Sequence, residues 1–369
     1  MSPKTAMKIP MARPLFDDET REALLEVLDS GRLAQGPRVL EFEERFAEWA
    51  QVPFAIAVSN GTAALLLALM AIGIGPQDEV ITTPFTFVAT ANAILFLGAR
   101  PVFADVRPST LNLDPEAVEQ RITPRTRAIL LVHLYGNPCE IDAFVELAER
   151  YGLALIEDAA QAHGALYRGQ PVGSFGIGCF SFYATKNMTT GEGGMITTWN
   201  PQLARRLRML RDHGQSDKYV HEILGLNFRM TELQAVLGIG QLKHIDAWNA
   251  RRRAIAEFYN RHLRKVRPVE ITPNSTPACH LYTVRIDPRL RDAVRERLQQ
   301  AGIETGIHYP TPVHRQPLYQ RLGYHESFPV AEKAAQEVLS LPIHPTLRDE
   351  ELHYVVEQLN TAIEELEGG

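Results

Sequence analysis

Cysteine is scarce in this chain: its 369 residues hold three, Cys139, Cys179 and Cys279. An odd number at wide spacing builds neither a disulfide framework nor a thiolate metal site, so reduced thiols in a cytoplasmic protein are expected, and no bound metal. Long apolar runs are also lacking. Ala63 to Ile74 is too short to span a bilayer, and Met1 to Met11, broken by Pro3 and Pro10, has no signal-peptide core. No sign of charge dominates: 38 Lys and Arg against 44 Asp and Glu leave a formal net charge of -6. Electrostatics therefore give no reason to expect nucleic acid or an anionic membrane as partner. No Gly-x-Gly-x-x-Gly joins a strand to a helix in the first βαβ unit, which tells against a dinucleotide-binding Rossmann enzyme.

What is present is an ordinary globular composition, 45% hydrophobic and 22% charged, at a length that fits two domains. From Phe54 to Trp199, short apolar strands alternate with helical segments. Strands are expected at Phe54–Val58, Glu79–Thr82, Val102–Val106, Ala128–Leu134 and Leu153–Ile156. Helices are expected at Thr62–Ala71, Val88–Leu97, Asp114–Arg121 and Glu140–Tyr151. Continuous apolar strands separated by helices imply a mostly parallel sheet covered on both faces, with ligands beyond the strands' carboxyl ends. A basic helix follows Pro201, and the pattern from Thr231 to about Val266 is helical almost throughout. A helix that long bridges domains. The division is therefore placed near residue 248, giving a large domain over 1–248 and a smaller α/β domain over 249–369. In the second, strands are expected at His280–Ile286 and Ile303–His308, and helices at Pro288–Ala301 and Glu350–Leu366.

Four features carry chemistry. Ser59-Asn60-Gly61-Thr62 joins a strand to a helix whose free N–H groups and positive dipole end suit a phosphate; a plain turn with a polar cap fits equally well. Phe85 and Phe87 offer an aromatic face for a flat ring, or simply core packing. Asp158 and Gln161 follow a strongly apolar strand, where a carboxylate can pair with a cationic ring nitrogen. Lys186 lies among Ser181, Tyr183, Thr185, Thr189 and Thr190, with Gly191, Gly193 and Gly194 just beyond. A strand-end lysine and a strand-end aspartate are what a pyridoxal phosphate site requires: a Schiff-base amine, and an acid that keeps the ring nitrogen protonated.

The segments VSNGTAALLLAL, TTPFTFVATANAI, IEDAAQAHGA, SFYATKNMTTGEGGM and GLNFRMTELQAVLGIGQL resemble the DegT/DnrJ/StrS family of pyridoxal phosphate-dependent sugar aminotransferases, from about Ile9 to Leu359. The resemblance implies the aspartate aminotransferase-type fold (fold type I), with a large, mixed, mostly parallel sheet domain and a smaller C-terminal α/β domain. It also implies a homodimer with shared active sites. Lys186 matches the Schiff-base lysine, Asp158 the partner of the pyridine nitrogen, and Gln161 the side chain beside the ring. Gly61, Thr62 and Ser181 match the phosphate cradle, Phe87 a stacking aromatic, and Asn227 a residue that reaches the neighbouring subunit's phosphate. Some relatives carry histidine for the lysine and deoxygenate; this chain keeps lysine, which favours transamination.

The resemblance implies L-glutamate as amino donor, a cofactor cycling between its aldehyde (PLP) and amine (PMP) forms, and a nucleotide-linked keto-sugar as acceptor. The stretch Gly306 to Tyr319 is similar to that of members acting on dTDP-3-keto-6-deoxyhexoses; amination of a GDP-, dTDP- or UDP-linked 4-keto sugar is the alternative. His308 and His314 are substrate-side candidates or structural histidines in a proline-rich turn. His163 faces the sugar or braces its loop. Arg229 binds a donor carboxylate or a pyrophosphate, or forms a surface salt bridge. The rivals are a pyridoxal phosphate enzyme of another reaction class and a non-catalytic, regulatory pyridoxal phosphate-binding protein.

Overall fold

The computed structural model describes residues 8–368. Its largest element is a seven-stranded sheet made of β1 (Phe54–Val58), β2 (Glu79–Thr82), β3 (Arg100–Phe103), β4 (Thr126–Val132), β5 (Ala154–Asp158), β8 (Ile177–Ser181) and β9 (Gly194–Thr198), in the order β1-β9-β8-β5-β4-β2-β3. β9 runs antiparallel to both its neighbours, and the other pairings are parallel. The carboxyl ends of β1, β2, β4, β5 and β8 therefore share one edge, where such sheets place their ligands.

Helices α1 (Asp18–Ser30), α2 (Pro37–Trp49), α3 (Gly61–Ala71), α4 (Ala89–Phe96), α5 (Pro115–Glu119), α6 (Ile141–Tyr151), α7 (Pro201–Arg211) and α8 (Glu232–Leu242) surround the sheet. In α3 every residue from Ala63 to Leu69 is buried, as an all-apolar helix must be in water. Its N-terminus is fixed by Asn60, whose Oδ1 accepts from the Ala63 N–H at 2.8 Å.

Three expectations shift. The strand expected at Val102–Val106 forms earlier, at Arg100–Phe103, with Pro101 inside it. β3 is an edge strand paired with β2 alone, so the missing proline N–H costs no ladder bond. The long helix from Thr231 breaks into α8 and α9 (Ile245–His262). His244 sits at the break, its Nε2 2.7 Å from Asp17 Oδ2 and its ring stacked on Trp248. The strand expected over Ile303–His308 reduces to two isolated bridges, Ile9 to Ile303 and Gly306 to Ser340.

A second sheet holds β12 (Arg267–Pro268), β14 (Tyr282–Arg285) and β15 (Val338–Leu341), all antiparallel. α9, α10 (Pro288–Gln300) and α13 (Asp349–Gly368) close its core around Ile255, Tyr259, Val284, Leu298 and Leu359, which also takes in Ile9. Two small pairings complete the strands: β6 (Leu166–Tyr167) between β7 (Gln170–Pro171) and β13 (Ser275–Thr276), and the hairpin β10 (Gln215–Asp217) with β11 (Val220–His221). α11 (Pro317–Arg321) and α12 (Pro329–Glu337) contribute to a separate cluster in which Phe85, Phe103 and Tyr135 pack on Val313, Tyr319 and Phe328. That cluster draws the 306–314 segment to the ligand edge of the large sheet. Among the described residues no helix is long and apolar enough to cross a membrane.

Candidate active site

Lys186 lies in the loop between β8 and β9, and the loop is cross-braced. The Phe182 N–H donates to Gly193 O at 2.8 Å, Thr190 N–H to Phe182 O at 3.0 Å, and Lys186 N–H to Tyr183 O at 2.9 Å. Asn187, the next residue, is buried and donates from Nδ2 to Asn249 Oδ1 and to Ala278 O, both at 2.8 Å, while its Oδ1 lies 3.1 Å from His280 Nδ1. The lysine is thus tied to α9 and to the 278–280 segment. Burial draws its amine from 10.5 down to about 8, against the opposing pull of Asp158. Water stabilises an ammonium better than a protein interior does.

Asp158, the last residue of β5, is 5% exposed. Its Oδ2 accepts from Thr90 Oγ1 at 2.9 Å and its Oδ1 from the Ala160 N–H at 3.2 Å. Burial raises its pKa, with those hydrogen bonds and Lys186 opposing. Gln161 Oε1 accepts from the Tyr135 N–H at 2.7 Å, and its Nε2 donates to the Tyr309 hydroxyl at 3.1 Å. Phe87 is 57% exposed with its ring 6.3 Å from that of Tyr309, while Phe85 is fully buried. Of the two phenylalanines, only Phe87 is free to meet a ligand.

Gly61 packs directly on the end of β8: a Cβ there would lie 2.6 Å from Ser181 Cβ and 3.2 Å from its Cα. Gly61 and Ser181 therefore meet in one corner at the start of α3, with Thr62 next along the helix, where the first helical amides have no partner inside the helix. These features fit pyridoxal phosphate. The corner suits a phosphate. Asp158 is a buried carboxylate with hydrogen-bond donors and no ion-pair partner among the described residues, so a pyridinium would complete it. Lys186 supplies an amine that is easily made neutral.

The remaining candidates divide. His308 is half-buried, its Nδ1 3.0 Å from Ser340 Oγ, and burial with the Lys186 charge brings it down to about 4. His163 is fully buried between the rings of Phe180 and Phe182. Burial lowers it to about 3. His314 is likewise fully buried, its Nε2 3.0 Å from Glu332 Oε1 and its ring against Phe328. Arg229 is paired with Asp212. Asn227 is exposed, on a segment tied to the cradle by the Ser59 N–H, which donates to Phe228 O at 2.8 Å.

Sequence reasoning missed Thr90, Tyr135, Asn187, His280 and Tyr309. Thr90 had a readable signal: it stands four residues after Thr86 on one face of the α4 entry, and the two hydroxyls lie 3.1 Å apart. Tyr309 had none, because its partner Gln161 is 148 residues away. Among the described residues no cluster of three or more His, Cys, Asp or Glu is placed to hold a metal.

The chain is 46% identical over 335 residues to the dTDP-3-amino-3,4,6-trideoxy-alpha-D-glucose transaminase of Streptomyces venezuelae, covering 89% of this chain and 88% of that protein. The crystal structure of S. venezuelae DesV in complex with a ketimine intermediate superposes with a TM-score of 0.90 at 43% identity, over 95% of this chain and 98% of that one. NtdA of Bacillus subtilis, with bound cofactor PMP, superposes with a TM-score of 0.90 at 31% identity, over 99% and 87%. The fold is that of the fold type I pyridoxal phosphate enzymes, and pyridoxal phosphate is the cofactor. Residues 14–360 match the family throughout, and the chain belongs to the DegT/DnrJ/EryC1/StrS aminotransferase family.

Proposed function

We propose that this aminotransferase moves an amino group from L-glutamate to a nucleotide-linked keto-sugar, a dTDP-3-keto-6-deoxyhexose, as a cytoplasmic homodimer with shared active sites. The observation that carries the reading is the meeting, at one sheet edge, of a half-buried amine of pKa about 8 with a buried carboxylate that forms no salt bridge among the described residues. The activity for which the S. venezuelae relative is named supports the choice of ketone and nucleotide.

Pyridoxal phosphate supplies an aldehyde that accepts the amino group and a ring that withdraws electrons from the bond being broken. Gly61, Thr62 and Ser181 hold its phosphate, joined by Asn227 of the neighbouring subunit. Asp158, fixed by Thr90 and the Ala160 N–H, keeps the ring nitrogen protonated. Gln161 and Phe87 would line the site of the cofactor's ring. Lys186 Nζ would take the α-proton from the amino-acid donor and deliver it to the cofactor's exocyclic carbon, and in the second half of the cycle would carry a proton from that carbon to the acceptor's carbon. One amine serves both directions. Arg229 is released from Asp212 only when a carboxylate or pyrophosphate competes for it, and His308 lies on the acceptor side. We place the boundary between the two domains near residue 248. In support, Ile255 and Tyr259 of α9 belong to the second core, while Asn249 Nδ2 donates back to His163 O at 2.7 Å.

The test is turnover by the purified protein with L-glutamate and a panel of dTDP-, GDP- and UDP-linked keto-sugars. Amination of the dTDP-3-keto sugar is expected. Preference for a 4-keto sugar would correct the substrate, and no acceptor at all would refute the reading.

A further inference from the structure

β4 ends in the single helical turn Leu134–Gly136, and its middle residue touches both sides of the site. Tyr135 is buried, with φ at 61°, a left-handed conformation rarely adopted by bulky residues and concentrated at functional sites. Its backbone N–H donates to Gln161 Oε1 at 2.7 Å. Its hydroxyl donates to the carbonyl oxygen of His308. Gly136 makes the approach possible: a Cβ there would stand 2.7 Å from Gln161 O and 3.0 Å from the His280 nitrogen.

Each contact has a consequence. With Oε1 taken by an N–H, the Gln161 amide has one orientation left, and Nε2 points to the Tyr309 hydroxyl. The hydroxyl contact holds the 308–309 segment, which besides the Tyr309–Gln161 bond is tethered to β15: Gly306 N–H to Ser340 O at 3.1 Å, Ser340 N–H to Gly306 O at 2.7 Å, and the His308 ring to Ser340 Oγ. Without Tyr135 the cofactor-side glutamine and the acceptor-side segment would be coupled only through Gln161 and Tyr309 themselves. Burial pushes the phenol well above its ordinary pKa, so it remains a donor across the physiological range.

We propose that Tyr135 is a positioning residue, orienting Gln161 through its backbone and the His308–Tyr309 segment through its hydroxyl so that the two keep one spacing. The inference rests on the proposed reading, in which residues 308–309 face the keto-sugar.

The test is Tyr135→Phe in the holoenzyme, which removes the hydroxyl and leaves the ring and the N–H. Loss of one net hydrogen bond should raise the KM for the keto-sugar about five- to tenfold. The glutamate half-reaction and the absorbance of bound cofactor should not change. Amide hydrogen exchange at Gly306 and Val313 should quicken by a similar factor, with α3 unaffected. Unchanged KM together with unchanged exchange at those amides would overturn the proposal. So would equal slowing of both half-reactions with faster exchange throughout, which marks a general structural role. Failure of the wild type to aminate any keto-sugar would count against the reading of function, and the exchange measurement would still decide the role of Tyr135.

Discussion

An ordinary lysine is almost wholly protonated at pH 7, and an ammonium has no lone pair to attack an aldehyde. Burial of Lys186 changes that by bringing its pKa to about 8. The rate at which the apo protein captures pyridoxal phosphate should therefore rise with pH through a midpoint near 8, not near 10.5. Asp158 opposes the downward shift, since its negative charge favours the ammonium. Asp158→Asn should consequently move that midpoint lower. The same variant loses a charge-assisted bond worth about 1.5–3 kcal/mol, so its cofactor Kd should rise roughly ten- to a hundredfold. A midpoint that rises instead would mean that the two groups do not face each other. Lys186→Ala removes the proton carrier, a contribution of about 10²–10⁴-fold in general acid–base catalysis, and should leave the fold intact by circular dichroism. Turnover within tenfold of the wild type would exclude the lysine from its role.

At the scale of elements, the cradle depends on how closely α3 abuts β8. A methyl group at Gly61 would stand 2.6 Å from Ser181 Cβ. Gly61→Ala should therefore cost about 1–3 kcal/mol by overpacking, read from urea unfolding, and weaken cofactor binding at the same time. Normal cofactor affinity in a stable Gly61→Ala protein would show that the corner is not the phosphate site. Element positions were legible where the local chain decides them. The apolar runs Phe54–Val58 and Glu79–Thr82 form strands at those bounds, and Pro115 after Asp114 opens α5. They were not legible where a distant partner decides. The helical run breaks at His244, whose ring nitrogen lies beside Asp17, and between Ile303 and His308 the bridges at Ile303 and Gly306 go to different segments, Ile9 and Ser340. The antiparallel insertion of β9 likewise depends on its pairing with β1, across more than half the large domain. For the site the same divide holds: Lys186, Asp158, Gln161 and Gly61 stand in dense local motifs, whereas Tyr309 and His280 come from the far end of the chain.

At the scale of the whole molecule, the exposed apolar side chains of the 213–229 segment accord with the second subunit proposed above. Tyr219 and Leu224 are 80% and 82% exposed, an unusual cost for large apolar side chains in water. Asn227 lies on the same segment. If it reaches across to a second subunit's cradle, Lys186→Ala and Asn227→Ala lie in complementary halves of each site. Two impaired homodimers should then give a mixed dimer with one intact site and about half the activity of the wild-type dimer, since independent sites add. No recovery on mixing, under conditions that exchange subunits, would place Asn227 in its own chain's site.

Transfer of an amino group in two separable steps is the central claim, and the visible spectrum of the bound cofactor tests it most directly. L-glutamate added to the yellow holoenzyme should abolish the absorbance of the aldehyde form and release one equivalent of 2-oxoglutarate per site. A dTDP-3-keto-6-deoxyhexose added next should restore that absorbance and leave an amino sugar. A spectrum indifferent to glutamate, or one bleached by glutamate that no keto-sugar restores, would contradict it.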